Sequence, residues 1–366
     1  MTYKPQKAHP PVSSFAGNGV PQCIQEGKRM KKRILLLCTG GTIASRRTED
    51  GLVPKLRAEE ILSYVPAAGA VCDIDVLQVC NIDSTNMSAA NWKQLAAKIE
   101  ENYSVYDGFV ICHGTDTMAY TSAALSYMIR RSPKPIVITG AQRPIDVDPT
   151  DAKTNLMDSI LYAADDASQD VVLVFDGKAI AGTRAKKMRA KSYNAFSSVN
   201  FPELAAIRDG RILRYIQEQP YTEPPLFYQE LNENVVVLKL IPGSRPELLE
   251  YLFQNYDCII IESFGVGGIP ELLLRTFYTQ MNQWLSRGKF VVMATQVVNE
   301  GSNMEVYEVG QKIKKDFRLI ETYDMTFEAA VTKIMHLLAY HKFDFEAIRR
   351  AFYTEVNHDI LYTRKN

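Results

Sequence analysis

Short apolar runs recur along this chain, separated by polar segments with a different period. Ile34–Leu37, Phe109–Cys112, Ile136–Ile138 and Val171–Phe175 fall in the first part, and Val235–Leu238, Cys258–Ile261 and Phe290–Ala294 in the second. Each is too short for a helix and lacks polar alternation, which predicts strands buried on both faces. Ile74 to Ile82 alternates instead, as a half-buried strand does. Helical spacing appears between the strands: Trp92, Leu95, Ala96 and Ile99 after a Ser88 cap, Ala58–Val65 before Pro66, Met118–Arg131, and Asp158–Ala167. The second part adds Ser244–Phe253, opened by a capping box at Ser244-Arg245-Pro246-Glu247, then Glu271–Arg287, Thr326–His341 and Phe345–Val356. Strands alternating with helices predict an α/β fold with a mainly parallel sheet flanked by helices, repeated on a smaller scale in a C-terminal α/β domain.

Proline and glycine punctuate residues 1–30, which read as a poorly ordered lead; Met30 and the basic triplet after it look like the start of the folded protein. The pattern divides the rest into an N-terminal α/β domain at 31–215, a linker at 216–234 carrying Pro220, Pro224 and Pro225, and a C-terminal α/β domain at 235–366.

Lys plus Arg and Asp plus Glu both number 42, so the formal charge is zero and nothing favours nucleic acid or an anionic membrane as partner. No apolar stretch reaches the length of a membrane span. The six cysteines include no C-x-x-C pair, and four lie in or beside strand runs, the pattern of free thiols in a reducing cytoplasm. The five histidines are scattered, so no metal site is expected, and no cofactor.

Candidate chemistry sits where strands end. The first strand runs into Thr39-Gly40-Gly41-Thr42-Ile43, two hydroxyls on a turn whose glycines permit positive φ and close approach of a ligand. A plain tight turn fits these residues equally well. The strand at 109–112 delivers His113-Gly114-Thr115-Asp116-Thr117, again glycine then hydroxyl, although Thr115 and Asp116 would also suit a helix start. Asp83-Ser84-Thr85-Asn86 follows the alternating strand. Arg184 to Lys191 holds five cations in eight residues and reads by default as a solvated basic face. Arg46 to Gly51 reads as a mobile loop.

Taken together, T-G-G-T-I at 39–43 and H-G-T-D-T at 113–117 resemble the bacterial-type L-asparaginase family, closest to its cytoplasmic type I branch, over residues 33 to 356. The resemblance implies hydrolysis of L-asparagine to L-aspartate and ammonia, with weak glutaminase activity on the side. It implies Thr42 as nucleophile through a β-acyl-enzyme. It implies Thr115, Asp116 and Lys187 as a second catalytic set, the family's lysine being aligned with Lys187 rather than Lys186. Gly41, Asp83, Ser84, Thr85, Thr115 and Asp116 would bind substrate. A threonine hydroxyl needs activation to attack an amide, and backbone N–H groups near the turn and Thr115 would face the oxyanion. The resemblance further implies that the first domain is catalytic, and a homodimer or homotetramer with sites near the subunit interface.

Three places depart from the family pattern. Leu52 stands where many relatives carry a loop tyrosine that activates the nucleophile; Tyr307, reaching a site across a dimer, is the candidate substitute. Gly268 replaces an asparagine. Glu262 and Val297 replace the arginine and cysteine of an effector site of which Thr295 is kept, so activation by asparagine is not expected. Two other functions fit the same motifs: an ammonia-releasing subunit of a glutamyl-tRNA amidotransferase, which would bring a longer folded N-terminal extension, and a non-catalytic asparagine sensor, which would have lost Thr42, Thr115, Asp116 or Lys187.

Overall fold

The computed structural model describes residues 31–48 and 51–361. The proposed lead at 1–30 therefore lies outside the described residues, apart from its boundary.

The first domain is built on an eight-stranded sheet. In chain order its elements are β1 (Arg33–Gly40), the ribbon β2 (Ser45–Thr48) and β3 (Gly51–Pro54), α1 (Ala58–Ser63), α2 (Ala68–Val71), β4 (Asp73–Ile82), α3 (Ala89–Asn102), β5 (Gly108–Cys112), α4 (Met118–Met128), β6 (Ile129–Arg130), β7 (Ile136–Thr139), α5 (Ala152–Ala163), β8 (Val171–Phe175), β9 (Lys178–Ala181), β10 (Ala185–Lys187), β11 (Phe196–Ser198), β12 (Ala205–Arg208) and β13 (Arg211–Arg214). The sheet order is β13-β12-β9-β8-β7-β5-β1-β4. The five strands from β8 to β4 are parallel, and the three beyond β8 join through antiparallel pairs.

Successive side chains of a strand point to opposite faces, and β1 uses both. Ile34, Leu36 and Cys38 pack with α1, α2 and α5, whereas Leu35 and Leu37 pack with α3 and α4. Burial on both faces explains the unbroken apolar runs.

The second domain follows β14 (Leu226–Phe227), which pairs with β6. It comprises β15 (Val235–Lys239), α6 (Pro246–Asn255), β16 (Cys258–Ser263), α7 (Glu271–Ser286), β17 (Phe290–Thr295), α8 (Glu308–Asp316), β18 (Ile320–Glu321), α9 (Phe327–Tyr340) and α10 (Phe345–Phe352). Its four-stranded parallel sheet runs β15-β16-β17-β18. Ile259 and Ile261 pack under α6 and α7, and Cys258 and Ile260 under α9 and α10. Ala123 and Tyr127 of α4 join that second cluster, so the two domains share apolar core.

Several local expectations change. Residues 45–48 and 51–54 pair as the β2–β3 ribbon rather than an unpaired loop, with Gly51 at φ 121°. The helix after His113 stops at Met128, because Ile129 turns extended to pair with β14. Helix α5 starts at Ala152, ahead of the expected Asp158. The Ser244 capping box does not form: Arg245 is the N-cap of α6, Pro246 takes the first turn, and the Ser244 hydroxyl donates to the Ile241 carbonyl at 2.8 Å. Among the described residues no helix is long and apolar enough to cross a membrane.

Candidate active site

The carboxyl ends of β4, β1 and β5 lie side by side, and the loops leaving them make one surface. Cys38 of β1 pairs with Gln78 of β4 on one side and Cys112 of β5 on the other. Residues 41–42, 83–85 and 114–116 therefore emerge at the same edge. Glycine sets how closely they approach. Gly41 has φ 76°, and a Cβ there would stand 2.4 Å from the Gly114 Cα. A Cβ on Gly114 would stand 2.6 Å from the Ser84 hydroxyl oxygen. Thr117 fastens the third loop by donating its hydroxyl to the Ser84 carbonyl at 2.8 Å.

The two threonines of the first turn have different surroundings. Thr39 is buried and donates its hydroxyl to the Cys112 carbonyl at 3.0 Å, tying β1 to β5. Thr42 is half-buried and opens the one-turn 3-10 helix Thr42–Ala44. Ser45 closes this turn, its hydroxyl donating to the Gly41 carbonyl at 2.9 Å. Gly41→Ala is expected to lower kcat/KM by about 100-fold, since displacing a reacting group by about 1 Å costs that much, and to lower the melting temperature through positive-φ strain. Steady-state kinetics beside a thermal melt checks both.

His113 braces the Gly114 turn from beneath. It is fully buried, with Nδ1 2.7 Å from the Gly114 carbonyl and Nε2 2.9 Å from the Thr121 hydroxyl. A carbonyl only accepts, so Nδ1 carries the proton and Nε2 accepts from Thr121. The Thr121 oxygen in turn accepts from Trp92 Nε1 at 2.9 Å. Burial pushes the His113 pKa down to about 4, so the ring is neutral near pH 7. A basic group with a depressed folded pKa gives its full stability above its ordinary value of 6.5 and loses it as pH falls toward 4. The wild-type chain should thus destabilise more steeply than His113→Gln between those limits, as read from urea midpoints across pH.

The lysine comes from a separate hairpin, β10–β11. Alternation along β10 sends its neighbours to different partners. Lys187 Nζ donates to Thr115 Oγ1 at 2.8 Å and to Asp116 Oδ1 at 2.6 Å. Lys186 Nζ instead binds both Glu328 carboxylate oxygens on α9, at 2.9 and 3.2 Å. Arg184 is fully buried and donates to the Asp324 carboxylate and carbonyl, each at 2.8 Å, and through Nε to the His358 carbonyl. The basic run is therefore not a solvated face at its start; exposure begins at Met188. Thr115 is 5% exposed, whereas the Asp116 side chain is 57% exposed, so the cluster is closed behind and open in front. An ammonium only donates, which makes Thr115 Oγ1 an acceptor and leaves its own hydrogen for a third group.

Two family models match in tandem: "Asparaginase, N-terminal" over residues 33–220 and "Glutaminase/Asparaginase C-terminal domain" over 234–352. The L-asparaginase of Thermococcus kodakarensis is 37% identical over 328 residues, covering 87% of this chain and 96% of that protein. The chain belongs to the asparaginase family. The solved structure of a thermostable L-asparaginase from the same organism superposes with a TM-score of 0.83 at 36% identity, over 90% of this chain and all of that one. A glutamyl-tRNA(Gln) amidotransferase subunit of Methanosphaera stadtmanae is 35% identical, over 83% of this chain and 72% of that longer protein.

On this asparaginase-family fold, Gly41, Thr42, Ser84, Thr115, Asp116 and Lys187 come from four segments to one edge. Asp83 and Thr85 flank Ser84 and are exposed; one Asp83 carboxylate oxygen accepts from the Thr85 N–H at 3.0 Å. Tyr307 lies elsewhere, 64% exposed at the start of α8. Leu52 belongs to β3. Glu262, Thr295 and Val297, the aligned effector positions, line one cavity of about 170 Å³ together with Lys186. The supports that the sequence did not single out are Trp92, Thr121, Arg184, Asp324 and Glu328. Only His113 stood within a recognised motif.

Proposed function

We propose that this amidohydrolase hydrolyses L-asparagine to L-aspartate and ammonia, with Thr42 as nucleophile. The observation that carries the reading is the meeting of Lys187, Thr115 and Asp116 beside the Gly41–Thr42 turn. Thr42 Oγ attacks the side-chain amide carbon, a C–O bond forms, and the C–N bond breaks. The hydroxyl proton ends on the departing nitrogen, which leaves as ammonia. Water then attacks the β-aspartyl ester, and aspartate leaves as Thr42 regains its proton. Lys187 holds Thr115 by one hydrogen bond and offsets the Asp116 charge by another, so the Thr115 hydrogen is directed to substrate or water. Asp83 and Asp116 would face the α-ammonium, and Ser84 and Thr85 the α-carboxylate. Glutamine, one methylene longer, would be a weak substrate, since one methylene changes discrimination by about 10–200-fold.

The chain would work without cofactor or metal, in the cytoplasm, as a homodimer or homotetramer. The buried thiols Cys38, Cys112 and Cys258 suit a reducing compartment. Tyr307 is our candidate for reaching a neighbouring subunit's Thr42; Tyr307→Phe should then lower kcat by about 100-fold, and near-normal kcat would remove it from the site.

Ammonia release by the purified chain alone tests the function. Turnover of asparagine well above glutamine supports the hydrolase. Release that requires a partner would favour the amidotransferase subunit, and binding without any release would favour the sensor.

A further inference from the structure

A basic cleft belongs to the second domain alone, whereas Thr42 and Thr115 follow β1 and β5 of the first. Its volume is about 770 Å³, within the range of small-molecule sites. The end of α8, the segment after it and α10 form its walls. Five cations line it, Lys314, Lys315, Arg318, Arg349 and Arg350, against the acids Glu305, Asp316 and Glu346.

The acids are all engaged. Lys314 Nζ lies 3.2 Å from Glu305 and 2.7 Å from the buried Glu321. Arg349 pairs with Glu346 at 3.2 Å, and Asp316 takes the Tyr278 hydroxyl as partner. Lys315, Arg318 and Arg350 are left over. All three are exposed, and among the described residues none of them forms an ion pair.

Exposed cations are ordinarily a solvated face, and cations in the last turn of a helix are favoured by its dipole. That second effect accounts locally for Lys315 on α8 and Arg350 on α10. It does not account for Arg318, which lies outside both helices, nor for the meeting of the three around one concavity. Like charges gathered without a counter-charge repel, and an anion in the cleft removes that repulsion. Two of the three are arginines, whose planar fork matches phosphate oxygens two at a time. One phosphate would occupy a small part of the volume, whereas a chain of two or three can meet cations from both helices. We propose that this cleft binds a short phosphate chain, free or carried by a nucleotide, with its anionic oxygens on Lys315, Arg318 and Arg350. The site does not depend on the role of Thr42.

Isothermal titration of the full chain with sodium tripolyphosphate, ATP and inorganic phosphate, in buffer without divalent metal, tests the proposal. Tripolyphosphate or ATP should bind saturably at one site per chain, and inorganic phosphate at least about tenfold more weakly. ATP no tighter than tripolyphosphate supports a site for the phosphate chain alone. Tighter ATP supports a nucleotide that also rests on the half-buried rings of Phe345 and Tyr353, which line the same cleft. Arg318→Gln and Arg350→Gln should each weaken binding by about tenfold or more, the loss expected for a hydrogen bond to a charged group. Both should melt as the wild type does, because neither side chain has an ion-pair partner to lose. Lys312→Gln removes a cation of α8 that lies over the Tyr278 ring, outside the cleft, and should leave binding unchanged. The proposal is overturned if neither polyphosphate saturates at one site per chain, if inorganic phosphate binds as well as they do, or if both arginine variants bind as the wild type does. It is also overturned if Lys312→Gln weakens binding as much as they do, since that would show attraction to the surface at large.

Discussion

Thr42→Ala is expected to lower kcat for L-asparagine by at least about 10⁴-fold, with the chain still folded. Removing a covalent nucleophile takes away the bond on which the two-step path depends, and losses of this order or larger accompany that in other hydrolases. The structure limits the damage elsewhere. Thr42 is half-buried at the mouth of the turn, while the hydrogen bonds that hold the turn come from Thr39, Ser45 and the Gly41 backbone. A thermal melt within a few degrees of wild type should therefore accompany the loss. Thr42→Ser keeps a hydroxyl on the same backbone and should retain far more activity than Thr42→Ala. If serine is as inactive as alanine while both fold, the nucleophile assignment fails.

Lys187→Met is expected to lower kcat by about 10³-fold and to change KM much less, as read from full saturation curves. Its ammonium reaches Thr115 and Asp116 from a hairpin that is itself gripped by Asp324 and Glu328. Methionine fills similar space but donates nothing. The Thr115 hydroxyl would then be free to rotate, and the Asp116 carboxylate would lose its counter-charge. Losses from removing a positioned proton-handling group fall in the 10²–10⁴ range. Lys186→Met should do less to kcat, because Lys186 is spent on Glu328 and touches neither Thr115 nor Asp116. Equal losses from the two substitutions would show that the hairpin acts only through its fold.

The parts of the site that are local in sequence were legible, and the parts that depend on long-range packing were not. T-G-G-T and H-G-T-D-T each follow an apolar strand, so their place at a sheet edge could be read directly. The contact of the Gly41 and Gly114 backbones could not, because it depends on β1 and β5 being neighbours. Lys187 was named by resemblance, whereas its separation from Lys186 rests on strand alternation within β10 that a dense run of cations conceals. The buried Arg184 defied the rule that such runs are solvated, since Asp324 and two backbone carbonyls satisfy its guanidinium. Helix α4 carried a helical pattern past Met128, but pairing with β14 overrode it. Helix α8 went unread because its surface is mainly polar and only Gly310 and Ile313 are buried.

A rapid-quench experiment with L-asparagine, followed by intact-mass and peptide mass spectrometry, tests the central claim most directly. The account predicts a transient β-aspartyl ester on the peptide containing Thr42, absent from Thr42→Ala. An ester on Thr115 instead, or hydrolysis at full rate with no ester on either threonine, would contradict it.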